Sequence, residues 1–224
     1  MNVAMVKRLI LKDWYLQRVP IIGSLIAGAL ALSVILFGGK PGFILGLILL
    51  VTVLIGVGAQ LAVATMVFER KEQTLPFVMS LPISYKEYTA SKILGNLIIF
   101  LILWLALLGG SFGVLAISPD KPFGLIPFVA IMATEILVST CLIYTVALIT
   151  EHQGWAIGAI ITGNLALNGI GYYVAHIGSI AKGMEGHSIQ WSPAASTILA
   201  AEFLIIVLML GLTFLFQSRK KDFI

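Results

Sequence analysis

The chain has 224 residues, of which 59% are hydrophobic and only 11% are charged, and its mean hydropathy is +1.06. Soluble domains carry about 25% charged residues, so this composition excludes an ordinary soluble protein and predicts an integral membrane protein. The net charge of +4 is small and concentrated near the ends of apolar segments. It therefore argues against nucleic-acid binding and identifies the charges as determinants of membrane topology.

Residues 1–18 predict an amphipathic helix that lies in the membrane interface. One face of its helical wheel is apolar and contains Val3, Val6, Leu9, Ile10 and Trp14. Asp13 falls on this apolar face, where a carboxylate against lipid is costly, so we expect a basic partner for it. An ordinary charge beside the membrane is the alternative interpretation.

Residues 19–224 predict six transmembrane helices, because a spanning helix needs about 20 apolar residues. The predicted spans cover residues 20–37, 43–68, 84–117, 123–149, 154–175 and 194–216. Ser84 and Glu87 match the S-x-x-E capping box, which predicts that the third helix begins at Ser84, outside the lipid. Residues 176–193 predict a polar, glycine-rich loop.

The cations fix the orientation of this fold. Eleven of the 14 lysines and arginines fall on one side of the predicted membrane, and the other three are Lys40, Lys121 and Lys182. The positive-inside rule therefore places both termini and residues 69–92 on the cytoplasmic side.

Sequence motifs for catalysis are missing. The sequence contains no G-x-x-x-x-G-K-[ST] phosphate loop, no H-E-x-x-H zinc motif and no G-x-S-x-G nucleophile elbow, so an enzyme is not expected. We expect the chain to have no catalytic residue, cofactor or metal of its own.

Among the polar residues within the predicted spans, five are candidates for a functional role: Gln60, Glu135, Asn164, Asn168 and Glu202. Glu135 lies near mid-depth of its span and Glu202 in the outer third of the last one. Because polar groups in lipid are costly, we expect them to form a polar seam, either lining a substrate path or holding helices together. In the second case Glu135 is a protonated hydrogen-bond donor. Asn164 and Asn168 are four residues apart and should share one helix face.

Residues 69–92 form the only long polar interval between two strongly apolar segments. Prolines 76 and 82 interrupt it, and between its charged flanks lies an apolar patch of Leu75, Phe77, Val78, Met79 and Leu81. A simple return into the bilayer needs no such patch. We therefore predict a short coupling helix that a soluble partner binds; a helix lying on lipid is the alternative.

This interval resembles the cytoplasmic loop of ABC transporter permeases of the type-2 exporter class. The matching positions are Glu69, Arg70, Thr74-Leu75, Leu81-Pro82-Ile83-Ser84 and Lys92. The resemblance implies that an ATPase subunit receives the helix, with Phe77, Val78 and Met79 as packing anchors. It also implies that Glu69, Arg70 and Glu72 form a charged rim that fixes the register.

The same resemblance implies the function of an ATP-driven exporter subunit in the plasma membrane of a prokaryote. ATP and magnesium would be bound by two copies of a separate ATPase. Two permease copies, as a homodimer or a heterodimer, would enclose the path, and the cargo would be an amphipathic, membrane-active peptide or a lipid-like molecule. The competing hypotheses are a secondary transporter or channel that uses Glu135 or Glu202, and an integral membrane enzyme.

Overall fold

The computed structural model describes residues 3–68, 84–117, 123–150, 152–184, 186 and 188–219. Within these ranges the chain is almost entirely helical and contains no strand, which confirms the predicted all-α class. Helices satisfy their backbone hydrogen bonds internally, which is the requirement that lipid imposes on any spanning segment.

Seven α-helices occupy the described ranges. They are α1 (Val3–Phe37), α2 (Gly39–Ala62), α3 (Tyr85–Ile117), α4 (Ile126–Thr150), α5 (Gln153–His176), α6 (Gly178–Met184) and α7 (Pro193–Arg219). A π-helical turn, Val63–Val67, continues α2, and a 3₁₀ turn, Phe123–Leu125, precedes α4.

Helix α1 is continuous over 35 residues, with Pro20 inside it. A separate interfacial helix over residues 1–18 is therefore not confirmed. A proline removes one backbone hydrogen bond, but proline is tolerated inside membrane helices. The first half of α1 buries one face against the protein, at Val6, Leu9, Asp13 and Gln17.

Five described helical segments are long and apolar enough to cross a bilayer. They are Val3–Phe37, Pro41–Val67, Lys86–Ile117, Phe123–Thr150 and Pro193–Gln217. The remaining predicted span is α5, whose 24 residues extend about 36 Å at 1.5 Å per residue. Its glycines and asparagines keep it below the hydropathy of the other five, so the predicted count of six spans is not confirmed.

Helix α4 lies at the centre of the bundle. Its most apolar stretch is 61% buried within the protein, compared with 17% to 28% for the other four candidate spans. It packs chiefly against α5 and α7, whereas α1 packs chiefly against α2 and α3. The bundle therefore consists of two three-helix groups, α1–α2–α3 and α4–α5–α7, which meet mainly through α2 and α4.

Within the first group, α1 and α3 run parallel and in close contact. Gly28 of α1 faces Leu107 of α3, and Leu32 faces Gly110. At Gly28 a methyl group would overlap the Leu107 side chain, so a larger residue there would require that leucine to shift. A second glycine, Gly39, has a φ of 61° and allows the tight turn from α1 into α2.

The predicted loop 176–193 contains a helix that the sequence pattern did not indicate. Helix α6 anchors this connection because Ile180 is buried beside Ile131, Val174 and Ala195, which belong to α4, α5 and α7. The outer ends of three long helices are thereby tied together.

Candidate functional site

Most cations lie near helix ends at one end of the bundle, which we name the basic end. The opposite end is the distal end. The starts of α1, α3 and α5 and the ends of α2, α4 and α7 meet at the basic end. The cations of the described chain at this end are Lys7, Arg8, Lys12, Arg18, Lys86, Lys92 and Arg219, while Lys40 and Lys182 lie at the distal end.

The predicted coupling residues lie outside the described residues, in the interval 69–83. They are Glu69, Arg70, Glu72, Leu75, Phe77, Val78, Met79 and Leu81. The structure describes both flanks of this interval, which end at Phe68 after α2 and begin again at Ser84 before α3. Both flanks are at the basic end.

The predicted capping box at the start of α3 is confirmed. The Ser84 backbone N–H donates to the Glu87 carboxylate at 2.9 Å, and the Glu87 backbone N–H donates to Ser84 Oγ at 3.4 Å. This reciprocal pair satisfies two amides at the helix start. The helix that follows the coupling interval therefore begins at a fixed residue.

The predicted basic partner of Asp13 is Lys92. Lys92 Nζ lies 2.8 Å from Asp13 Oδ2, and the two side chains are 1% and 2% exposed. Lys12 Nζ approaches the same carboxylate at 3.5 Å, and Lys92 also lies 5.7 Å from the Tyr88 ring centre. A buried ion pair of this kind fixes the position of one helix against another, so α1 and α3 are joined at the basic end.

A second buried contact joins α3 to the π-helical turn of α2. Asn96 Nδ2 donates to Thr65 Oγ1 at 2.6 Å, and Thr65 Oγ1 donates to the Leu61 carbonyl at 2.7 Å. Asn96 is four residues after Lys92 and therefore lies on the same side of α3. Its Oδ1 is buried and has no hydrogen-bond partner among the described residues.

A cavity of about 520 Å³ lies toward the distal end, between the two helix groups. It is mainly apolar, and its polar lining consists of Thr52, Ser111, Asn164, Asn168 and Tyr172. A smaller void continues from it toward the basic end along Ser139 and Thr140. The cavity therefore has the size and mixed lining of a site for an organic molecule.

Asn164 and Asn168 both line this cavity, which confirms that they share one face of α5. Their Nδ2 groups donate to the carbonyls of Ile160 and Asn164, at 2.9 Å and 2.8 Å. These bonds lie within α5, and neither amide bonds to another helix in the described part of the chain. The hypothesis that the asparagines hold helices together is therefore not supported. Gln60 is exposed on α2 and is outside the cavity lining.

Glu135 and Glu202 are buried, at 3% and 4% exposure, and their carboxyl groups interact electrostatically with each other. Glu202 lies on α7, which packs against α4. Among the described residues that line the cavity, the two asparagines are present and the two acids are not. The asparagines border the space between the two helix groups, whereas the acids lie within one of them.

One known protein family matches this chain over most of its length. The family model described as ABC-2 family transporter protein matches residues 8–210, a range that covers most or all of each long helix. The chain belongs to this ABC-2 transporter family. It is therefore the membrane-embedded subunit of a transporter, a permease, and the family membership does not favour a secondary transporter or channel. No curated protein and no solved structure matches the chain.

Sequence reasoning left two details of the basic end of this permease undetermined. The Asn96–Thr65 contact was not predicted, although the spacing of Asn96 from Lys92 is a signal for a second polar contact on the same face of α3. The partner of Asp13 was expected to be basic, but 79 residues separate it from Lys92. Only the parallel packing of α1 and α3 selects this lysine among the cations of the basic end.

Proposed function

We propose that this permease is the transmembrane subunit of an ATP-driven exporter and that a separate ATPase subunit moves it through residues 69–83. The observation that carries the proposal is the family match over residues 8–210. In addition, the interval that resembles a coupling helix leaves and re-enters the helix bundle at the basic end. By the positive-inside rule the basic end faces the cytoplasm, where ATP is available.

The contacts at the basic end supply a route from the coupling interval to the spans. A displacement of residues 69–83 acts on both α2 and α3, which flank the interval. The Asn96–Thr65 hydrogen bond joins α2 to α3, and the Asp13–Lys92 ion pair joins α3 to α1. We therefore expect α1, α2 and α3 to move as one group.

The cavity lies where such a movement has an effect. Its walls come from α2 and α3 on one side and from α4 and α5 on the other. Displacement of the first helix group against the second would enlarge or close it, and ATP binding by the partner would bias this two-state equilibrium. Asn164 and Asn168 would bind polar groups of the cargo on an otherwise apolar wall.

The lining favours an amphipathic cargo. Two exposed amide side chains lie within the spans of the described chain. They are Gln60 on α2 and Asn168 on α5. The exposed face of α7 is aliphatic and aromatic, with Leu204, Val207 and Leu208 as examples. The α2–α5 side is therefore the side suited to a substrate path and a second permease copy, and the α7 side is suited to lipid.

In this proposal the functional assembly contains two permease copies, as a homodimer or a heterodimer, and two ATPase subunits. ATP and magnesium are bound by the ATPase, and the permease has no catalytic residue or cofactor of its own. The assembly lies in the plasma membrane of a prokaryote with both permease termini in the cytoplasm. Its cargo is a membrane-active peptide or a lipid-like molecule.

The decisive experiment is purification of the tagged permease from its native membrane in mild detergent. We expect an ATPase with a Walker motif to co-purify with the wild type. The variant Phe77→Asp should lose most of this ATPase, because it places a charge at a proposed packing anchor, while insertion and melting temperature remain those of the wild type.

The matched control is Phe37→Asp, which changes an exposed phenylalanine (83% exposed) at the distal end. It should keep the ATPase. If no ATPase co-purifies with the wild type, the proposed function loses its support. If Phe77→Asp binds the ATPase and transports like the wild type, the coupling role of residues 75–81 is wrong and the lipid-lying helix is favoured.

A further inference from the structure

Glu135 and Glu202 lie at the same depth on two helices that pack against each other, α4 and α7. Each is the tenth residue of its helix, since α4 begins at Ile126 and α7 at Pro193. At 1.5 Å per residue, each is about 14 Å from the start of its helix at the distal end.

Helices α4 and α7 are parallel neighbours in a fixed register. Thr213 Oγ1 donates to Thr145 Oγ1 at 2.9 Å, and Gln217 Nε2 donates to the Leu148 carbonyl. The separation in sequence is 68 residues for the first contact and 69 for the second. The separation therefore falls from 69 to 68 residues as the contacts approach the distal end. Glu135 and Glu202, which lie still nearer the distal end, are 67 residues apart and fit the same register.

Among the described residues, no cation forms an ion pair with Glu202, and both of its carboxylate oxygens are buried without a hydrogen-bond partner. Glu135 is close enough to Glu202 for the two carboxylates to repel each other. The other titratable groups on α4 and its packing partners lie elsewhere along the bundle. By their positions in the described helices, Cys141 and Tyr144 lie nearer the basic end, Tyr85, Lys86, Glu87, Tyr88, Lys92 and Arg219 lie at the basic end, and Lys40, Tyr172, Tyr173, His176 and Lys182 lie at the distal end.

Two carboxylates cannot both remain ionised at such a position, because each charge is desolvated and the two repel each other. A proton removes one charge and supplies a donor to the neighbouring oxygen, so that a carboxyl pair can hydrogen-bond across the helix contact. We propose that Glu135 and Glu202 form a proton-binding site at the α4–α7 contact and that the bound proton fastens α7 to α4.

The test uses the purified full-length permease in lipid nanodiscs, without any ATPase, so its outcome is separate from that of the proposed function. At pH 7 the infrared spectrum should contain the carbonyl band of a protonated carboxyl. The double variant Glu135→Gln with Glu202→Gln should lack this band. The control Glu87→Gln, which changes an acid at the basic end, should retain it.

The bound proton also predicts a pH dependence of stability. A folded state that holds a proton released on unfolding loses stability as the pH rises, by about tenfold in the folded-to-unfolded ratio per proton and pH unit. Relative to the double glutamine variant, whose amides are neutral at every pH, the melting temperature of the wild type should therefore fall as the pH rises above about 4.3, the ordinary pKa of a glutamate. The fall should end once the folded state also releases the proton.

One further measurement needs no variant. Dicyclohexylcarbodiimide, which modifies protonated carboxyls in apolar surroundings, should label Glu135 or Glu202 of the wild type in a peptide mass map. The absence of both the infrared band and the label would overturn the proposal. So would a melting temperature that rises with sodium chloride, but not with choline chloride, in the wild type alone, because a metal cation would then occupy the pair.

Discussion

At the basic end a buried carboxylate, Asp13, faces a lysine on the neighbouring helix, whereas deeper in the bundle Glu135 faces a second carboxyl, Glu202. Both arrangements join two parallel helices. The first joins α1 to α3 through opposite charges, while the second requires a proton at the contact of α4 and α7. Buried acids in one chain therefore serve different purposes according to the side chain that the helix packing places opposite them.

The same comparison applies to amides. Asn96 at the basic end bonds across to α2, whereas Asn164 and Asn168 bond within α5 and line the cavity. Side-chain contacts at the basic end thus hold helices in place, and the amides around the cavity leave their surroundings open to a ligand. This division suits a transporter in which a partner displaces the helices at the basic end and the displacement alters the cavity near the distal end.

The largest effect is expected from breaking the Asp13–Lys92 ion pair. Removing one partner of a buried ion pair costs about 3–5 kcal/mol of stability, so Lys92→Met should lower the free energy of unfolding by about that amount. The double variant Asp13→Leu with Lys92→Met should recover most of the loss, because neither charge remains buried. Thermal unfolding in nanodiscs measures both, with the exposed Lys86→Met as control. If Lys92→Met were as stable as Lys86→Met, the ion pair would not hold α1 to α3.

The sequence alone could predict much of the basic end but less of the interior. Hydropathy located the long helices, the S-x-x-E pattern located the start of α3, and the position of Asp13 on an apolar face required a cation. Helix α4, by contrast, is apolar on nearly all sides, so its sequence pattern does not tell which neighbour Glu135 faces. That information depends on the packing of α7, and for this reason the sequence does not show that the two acids lie away from the asparagines that line the cavity.

A smaller effect is expected from the hydrogen bond between Asn96 and Thr65. Thr65→Val keeps the shape of the side chain but leaves the buried Asn96 amide without its acceptor, which costs about 1–3 kcal/mol. The matched change near the cavity is Asn168→Leu, which removes a bond within one helix at an exposed position and should alter stability by less than about 0.5 kcal/mol. Chemical or thermal unfolding of the two variants tests this. Equal losses of stability in the two variants would show that the hydrogen bond of Asn96 between helices contributes no more than the bond of Asn168 within its own helix.

The smallest effect is expected at two serine caps, one at each end of the bundle. Ser84 accepts from the Glu87 amide at the start of α3, and Ser192 accepts from the Ala195 amide at 3.2 Å at the start of α7. Replacing either serine by alanine should cost about 1 kcal/mol, so the melting temperatures of the two variants should be similar. Their transport should differ, because Ser84 lies directly after the proposed coupling interval and Ser192 lies at the distal end. Export per ATP hydrolysed by the reconstituted complex should therefore fall for Ser84→Ala alone. An equal fall in both would mean that helix stability, and not the position of the cap at the basic end, determines coupling.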